Sequence, residues 1–320
     1  AYDKAGRVIS ETDANKHTTR CRYGKTGLVS EITDALGQKA LFEYDALGNV
    51  TKITAPGNAV TQYAYDISGR LTTQTDATGL VTEYGYDENS QLISVVTNGN
   101  ESLYEYDAMG NVSSVTDAEG RCIKLSYDLN GNLTEIIYPD GTKDVTEYDA
   151  LGRVVQSTPR TGLATAYAYD ESGNVVRMTQ GEQTTAYEYD LLGRMVRQIA
   201  ADGTETAYAY DALGNLVGQT DELGNQTTFS YTAESLLEQV TYANGASQSL
   251  SYDLAGNITG ETDAEGNAKQ YQYDKANRLI AVVDELGGKT SYAYDAMDHI
   301  VQVTDALRHA TKYTYDKDGN

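Results

Sequence analysis

The sequence of 320 residues contains no tryptophan, only two phenylalanines, three prolines and two cysteines. Cys21 and Cys122 are too few for a disulfide framework, so we interpret both as small packing residues. No apolar run approaches the roughly 18 residues of a membrane span, and no charged-then-apolar leader opens the sequence. These absences argue against a disulfide-rich domain, a transmembrane helix and a signal peptide.

Basic residues are also scarce. The sequence has 24 Lys and Arg against 47 Asp and Glu, which gives a net charge of −23. Proteins that bind nucleic acid rely on clustered Lys and Arg to contact the phosphate backbone. The charge balance therefore argues against a nucleic-acid partner.

Tyrosine, in contrast, is abundant and regularly spaced. The 27 tyrosines include sixteen anchors, of which thirteen of the fifteen spacings are 21 residues and two are 20. Asp follows the anchor in fourteen of sixteen cases, Gly stands four residues after it in twelve, and all fifteen readable residues six after it are Val, Leu, Ile or Met. We therefore predict a single array, residues 1–320, of about 15 repeats of 20–21 residues, with no separate globular domain.

Eleven repeats carry the complete pattern of tyrosine, aspartate and glycine, and nine of them are selected as anchor sets. We predict a structural role for these anchor residues and no catalytic, cofactor-binding or metal-binding role. The anchors are Tyr44, Asp45, Gly48, Tyr65, Asp66, Gly69, Tyr106, Asp107, Gly110, Tyr127, Asp128, Gly131, Tyr148, Asp149, Gly152, Tyr169, Asp170, Gly173, Tyr189, Asp190, Gly193, Tyr210, Asp211, Gly214, Tyr252, Asp253 and Gly256.

Each repeat contains two turn signals. We call the turn that follows the anchor, such as residues 45–48, the YD loop, and the second turn, such as residues 117–120, the TD loop. In both, Asp favours a type I turn and Gly favours the positive φ that closes a bulged hairpin. The runs between loops are rich in Val, Ile, Thr and Tyr, which predicts strands and leaves no room for a helix of average length. Two repeats lose one residue near the second turn, at Asn98-Gly99 and Gln180-Gly181.

Alternation within the strands is clear before the anchor and unclear after it. Thr61, Tyr63 and Tyr65 share one face of a strand. Val50 and Ile53, however, are an odd number of residues apart. The strand after the YD loop therefore either contains a bulge or is partly apolar on both faces.

A single hairpin of this size is too small to fold alone, so neighbouring hairpins must stabilise each other. Sixteen repeats predict about 32 strands, and twisted open sheets rarely exceed about 10 strands without curling. We therefore predict an all-β fold, a repetitive antiparallel β-hairpin ribbon coiled into a spiral, hollow shell or partial barrel.

The motifs YDALGNVTKIT, YDISGRLTTQTDATG and YDALGRVVQSTP resemble the YD repeats of the Rhs family. This family is found in bacterial polymorphic toxins, in shell components of insecticidal toxin complexes, in wall-associated bacterial proteins and in animal teneurins. The resemblance covers essentially the whole sequence. It implies a ribbon that spirals into a hollow shell, often around a toxic C-terminal domain of a secreted bacterial protein.

The resemblance sets the functional expectation: a non-enzymatic, secreted or cell-surface shell segment whose partners are neighbouring repeats and an enclosed or appended domain of the same polypeptide. In that family a self-cleaving core with catalytic aspartates follows the repeats, and no such segment is recognised here. Because the sequence begins and ends inside the repeat, we expect it to be an excerpt of a longer protein. The alternative function is a cell-surface adhesion or carbohydrate-binding module, in which the tyrosines stack on glycans.

The remaining candidate sites are interpreted as turn or surface residues without catalytic or metal-binding roles. Most aspartates occupy turn positions, which favours a structural role over acid–base chemistry. Asp316, Asp318 and Asn320 resemble the opening of a calcium loop, but the later ligands are missing from the sequence. His17, His299 and His309 lie in different registers and are interpreted as surface residues instead of metal ligands. No cofactor is predicted.

Overall fold

The computed structural model describes residues 1–315, and the calcium-like residues Asp316, Asp318 and Asn320 lie outside them. The described residues contain thirty β-strands, one turn of 3-10 helix at Pro56–Asn58 and no α-helix. The chain divides into two compact units. Unit 1 comprises residues 1–83, 232–240 and 246–320, and unit 2 comprises residues 84–231 and 241–245.

In unit 1, consecutive strands from β1 to β8 and from β24 to β30 pair antiparallel. The strands that begin in this unit are β1 (Ser10–Thr12), β2 (Thr18–Tyr23), β3 (Val29–Thr33), β4 (Lys39–Tyr44), β5 (Val50–Thr54), β6 (Val60–Tyr65), β7 (Leu71–Thr75), β8 (Val81–Tyr86), β23 (Leu237–Thr241), β24 (Ser247–Tyr252), β25 (Ile258–Thr262), β26 (Ala268–Tyr273), β27 (Leu279–Val283), β28 (Lys289–Tyr294), β29 (Ile300–Thr304) and β30 (Ala310–Lys312).

In unit 2, consecutive strands from β9 to β22 pair antiparallel in the same way. The strands that begin in this unit are β9 (Leu92–Thr97), β10 (Asn100–Tyr106), β11 (Val112–Thr116), β12 (Cys122–Tyr127), β13 (Leu133–Ile137), β14 (Lys143–Tyr148), β15 (Val154–Thr158), β16 (Thr165–Tyr169), β17 (Val175–Gln180), β18 (Gln183–Tyr189), β19 (Met195–Ile199), β20 (Glu205–Tyr210), β21 (Leu216–Thr220) and β22 (Gln226–Tyr231). The prediction of an all-β fold made of antiparallel hairpins is confirmed.

The loops have the predicted turn geometry. In the loop of residues 45–48, the Gly48 N–H donates to the Asp45 carbonyl at 3.2 Å, and the Asp45 N–H donates to the Asn49 carbonyl at 2.9 Å. Gly48 has a φ of +93°, which a residue without Cβ adopts at no steric cost. YD loops therefore lie along one edge of the ribbon in each unit, and TD loops lie along the opposite edge.

The two shortened repeats have tighter hairpins. Asn98 and Gly99 both have positive φ, 51° and 76°, in a two-residue loop between the paired residues Thr97 and Asn100. This is the geometry of a type I′ turn, which matches the twist of the flanking strands. The other shortened hairpin turns at Gly181, with a φ of +58°. Both repeats thus lose their residue at the TD edge, as the sequence predicts.

A β-bulge explains the irregular alternation of apolar residues in the strand after the YD loop. Glu43 pairs with Lys52 but Tyr44 pairs with Val50, so Thr51 is the extra residue. Ile53 pairs with Phe42, which shares a strand face with Tyr44. The bulge therefore places Val50 and Ile53 on the same face of the sheet, although they are an odd number of residues apart.

Side-chain burial is shallow throughout the described residues. Among residues 1–315, Ala281 is the one hydrophobic residue whose side chain is buried, with an exposure of 1%. The tyrosines of the YD motif are mostly half-buried, so they do not form the interior of a layered core. Cys21 and Cys122 are free thiols of intermediate exposure. Cohesion must therefore come from repeated local contacts between neighbouring hairpins.

Candidate functional site

The anchor tyrosines connect consecutive repeats through their hydroxyl groups. Each hydroxyl donates to the backbone carbonyl of the apolar residue six positions after the preceding anchor, at 2.6–2.9 Å. Sequence analysis identified both positions but not this bond between them. It is made by Tyr23, Tyr44, Tyr65, Tyr106, Tyr148, Tyr169, Tyr189, Tyr210, Tyr231, Tyr252, Tyr273, Tyr294 and Tyr315.

The anchor aspartates hold the YD loops together. In all nine predicted anchor sets, one carboxylate oxygen accepts the N–H groups two and four residues later, as Asp107 does from Met109 and Asn111. The Asn111 side chain, followed by its backbone N–H, keeps the pKa of Asp107 below 3.8. Hydrogen bonds to the ionised form have this effect because protonation would weaken them. The carboxylates are therefore occupied in turn structure.

The residue four positions after the loop aspartate determines whether a loop contacts only itself or also the next repeat. Where it is Asn, as at Asn215, its amide donates to the second oxygen of Asp211 at 2.9 Å. Where it is Arg, as at Arg194, the side chain contacts Asp190 and also donates to the backbone carbonyl of Asp211 at 3.0 Å. The Arg194 guanidinium also lies 4.9 Å from the ring centre of Tyr210, the next anchor. Arginine at this position therefore links two repeats. The sequence motif did not predict this link.

All three histidines occupy this same loop position. Their Nδ1 atoms lie 3.2, 3.1 and 3.0 Å from the carboxylate oxygens of Asp13, Asp295 and Asp305. The sequence registers suggested no relation among them, because some lie in TD loops and others in YD loops. Within residues 1–315, no group of three or more His, Cys, Asp or Glu side chains is arranged to hold a metal ion.

The face of the sheet opposite the anchor tyrosines is polar. Lys52 pairs with Glu43 at 2.9 Å, Lys143 pairs with Glu135 at 3.0 Å, and Arg197 pairs with Glu205 at 3.0 Å. These cross-strand pairs are solvent-exposed, so each contributes little to stability. They leave one face of the ribbon without a continuous apolar surface.

The two edges of the ribbon meet within unit 1. Asn15 in a TD loop donates to Asp253 in a YD loop at 3.0 Å. Gly57 in another TD loop lies against Met297, whose Cγ would be 3.2 Å from a Cβ at Gly57. In both cases the YD loop begins 240 residues after the TD loop (253 minus 13, and 295 minus 55). We call this contact, between residues 13–58 and 253–298, the seam.

The seam covers loop side chains that are otherwise exposed. Met297 and Met109 occupy the same position of their YD loops, but Met297 is 38% exposed in the seam whereas Met109 is 61% exposed. Asp34 and Ala35 line a small cavity of about 370 Å³ together with Lys275 and Ala276, which places a third TD loop beside a third YD loop. The predicted coiling of the ribbon is thus visible in unit 1, where the chain returns to its own edge.

Sequence comparison agrees with the repeat geometry. The family described as RHS Repeat matches residues 2–39, 44–79, 65–102, 86–121, 106–143, 252–289 and 273–310, which together cover more than half of the chain. The chain belongs to the RHS-repeat family. A second family, described as Teneurin YD-shell, matches residues 145–263 of this RHS-repeat chain.

Solved structures show the same fold. A crystal structure described as TcdB2-TccC3-Cdc42 is 17% identical, with a TM-score of 0.82 over 100% of this chain and 21% of that chain. A crystal structure described as TcdB2-TccC3 without hypervariable C-terminal region is 16% identical, with a TM-score of 0.83 over 99% of this chain and 20% of that chain. The RHS-repeat chain therefore spans about a fifth of these solved chains. No curated protein sequence matches it.

No helix in the part of the chain from residue 1 to 315 is long and apolar enough to span a bilayer. The anchor aspartates, which are the most numerous candidate acids, accept hydrogen bonds from their own loops. The arrangement thus performs structural chemistry: it closes turns and joins hairpins.

Proposed function

We propose that this chain is a non-enzymatic segment of a YD-repeat shell that encloses or displays another domain of the same polypeptide, a C-terminal toxin of a secreted bacterial protein. The seam carries the proposal. A ribbon whose TD loops contact its own YD loops 240 residues later can form a wall without a gap between its turns. Under this proposal residues 1–320 are one array of repeats and the nine anchor sets are its structural joints.

Three further observations support this function. The family descriptions are of a repeat and of a shell, and one similar solved structure is described as TcdB2-TccC3 without its hypervariable C-terminal region. The net charge of −23 favours solubility. The polar face, with its paired Glu and Lys or Arg side chains, can lie beside a folded domain without offering it a continuous apolar surface.

The tyrosine positions favour the shell over the adhesion or carbohydrate-binding alternative. Stacking on sugars requires aromatic rings that lie open along a surface. Tyr63 and Tyr65 are instead half-buried, and the Tyr65 hydroxyl is bonded to the neighbouring strand. We therefore rank glycan binding second, and tight binding to a glycan array by this chain would reverse that order.

Protease protection tests the shell function. The natural polypeptide that carries these repeats is digested with a broad-specificity protease, and the cleavage sites are mapped by mass spectrometry. We expect segments outside the repeats to be protected, and to become sensitive when Asn15→Asp places a second carboxylate opposite Asp253 in the seam.

The control is Thr161→Asp, which adds a charge at the same position of an exposed TD loop in unit 2. It should leave protection unchanged. Equal cleavage of the other segments in the unmodified protein, the seam variant and the control would contradict the enclosure of a domain.

A further inference from the structure

The seam shows that the groove between two neighbouring YD loops can hold a TD loop. The TD loop of residues 13–16 lies across the groove between the YD loops of residues 253–256 and 274–277. Asn15 donates to Asp253 in one of these loops, and Asp13 lines the same cavity as Asn277 in the other. A TD loop thus lies beside two neighbouring YD loops and is hydrogen-bonded to one of them.

Unit 2 contains an equivalent groove that is open. It lies between the YD loops of residues 170–173 and 190–193 and has a volume of about 740 Å³. Ser172 and Asn174 supply polar groups on one side, and Leu191 and Leu192 form the other side. Both leucines are exposed to solvent, Leu191 completely and Leu192 to 75%. The two adjacent leucines give this side of the groove an apolar surface that a docked loop would cover.

The complementary edge is also exposed in unit 1. Leu286 and Leu307 stand at the third position of their TD loops and are 89% and 76% exposed. Leu36 has the same position in the TD loop of residues 34–37, and there it is half-buried beside the YD loop that contains Lys275 and Ala276. The same leucine position is therefore covered where a YD loop is present and exposed where none is.

We propose that the open YD groove of unit 2 docks a TD loop of a second copy of this chain, so that copies associate head to tail. A second copy is the occupant that the structure supports, because the seam shows this chain's own TD loops in grooves of the same kind. The contact is heterologous, since it joins opposite edges of the ribbon. It does not depend on any enclosed domain, so its failure would not bear on the shell function.

Charge sets the conditions for the association. Each copy carries a net charge of −23, so two copies repel at low salt and approach more readily once salt screens them. Sedimentation velocity of the full chain, in reductant, should show larger species that increase with protein concentration and between about 0.05 M and about 0.5 M salt.

The double variant Leu191→Asp with Leu192→Asp should weaken the association more than about tenfold, which corresponds to a loss of apolar contact at the groove. The matched control is Leu41→Asp, an exposed leucine on a strand face away from the loops, which should associate normally. Circular dichroism establishes that all three proteins are folded. A chain that stays monomeric at every concentration and salt, or equal association of the double variant and the unmodified chain, overturns the proposal.

Cross-linking tests the polarity of the contact. In a background of Cys21→Ser and Cys122→Ser, a mixture of Leu191→Cys and Leu286→Cys chains should form disulfide-linked pairs under mild oxidation. Leu191→Cys chains alone, which present two like edges, should form far fewer. Equal cross-linking in both mixtures would contradict head-to-tail docking.

Discussion

The hydroxyl of Tyr65 donates a hydrogen bond of 2.9 Å to the backbone carbonyl of Val50. The pairing between β5 and β6 ends at Lys52 and Gln62, next to Thr51, which is the bulge residue of β5 opposite β4. The Val50 carbonyl lies past the end of this ladder, and the phenol supplies a donor there. The spacing of the tyrosine motif thus matches a backbone carbonyl that lies one residue before the bulge residue.

Removal of this hydroxyl should loosen one hairpin. We expect Tyr65→Phe to cost about 1 kcal/mol locally, because one hydrogen bond is lost and the ring is kept. Amide hydrogen exchange in β5 and β6 should then be about fivefold faster. Tyr63→Phe, in the same strand, is the control and should leave exchange unchanged. Equal acceleration by the two variants would show that the Tyr65 bond has no special role.

Arginine at the end of a YD loop should couple neighbouring repeats more strongly than asparagine does. Arg194→Asn can keep the loop bond, as Asn215 does with Asp211, but it loses the contacts to the Asp211 carbonyl and the Tyr210 ring. We expect a local loss of about 0.5–1 kcal/mol, measured as faster exchange in the following loop. The reverse change, Asn215→Arg, should slow exchange in the loop after it. No change in either variant contradicts the coupling.

Glycine at the fourth loop position should be replaceable by asparagine but not by valine. Gly214 has a φ of +94°, and at this position of other YD loops Ser90, Asn277 and Asp298 have φ of 66°, 61° and 66°. Short polar residues tolerate this conformation, whereas β-branched residues are strained by at least about 1–2 kcal/mol. Urea unfolding should therefore rank the unmodified chain above Gly214→Asn, and Gly214→Asn well above Gly214→Val. Equal stability of the two variants would exclude a backbone cause.

Local features of the fold were predictable from the sequence because turn chemistry acts within a few residues. The positions of Asp45 and Gly48 and the shortened hairpin at Asn98-Gly99 follow from residue type alone. The odd spacing of Val50 and Ile53 indicated a possible bulge, but a strand that is apolar on both faces gives the same pattern. Only the pairing of Tyr44 with Val50 distinguishes the two.

Contacts between distant parts of the chain were not predictable in this way. The bond between Asn15 and Asp253 joins residues 238 apart, and their separation depends on twist accumulated over many strands. No residue in either loop marks it as a contact. The common role of His17 and His299 was hidden for a different reason: it depends on position within a loop, and their loops lie at different points of the repeat.

Acid should destabilise the loops in a defined pH range. The pKa values of Asp107, Asp128 and Asp170 lie below 3.8, first because of the side-chain amide of the asparagine that ends each loop and then because of its backbone N–H. A carboxyl group whose pKa is lower in the folded state stabilises the fold above its unfolded pKa, and this stabilisation is lost as pH falls through the folded value. Urea unfolding should therefore give similar stability between pH 7 and about pH 5, followed by a decline below about pH 4. Asp107→Asn should make the decline shallower, whereas Glu171→Gln, which removes an exposed loop carboxylate, should not. A decline that is complete by about pH 5, or one that both variants change equally, would exclude the loop aspartates as its cause.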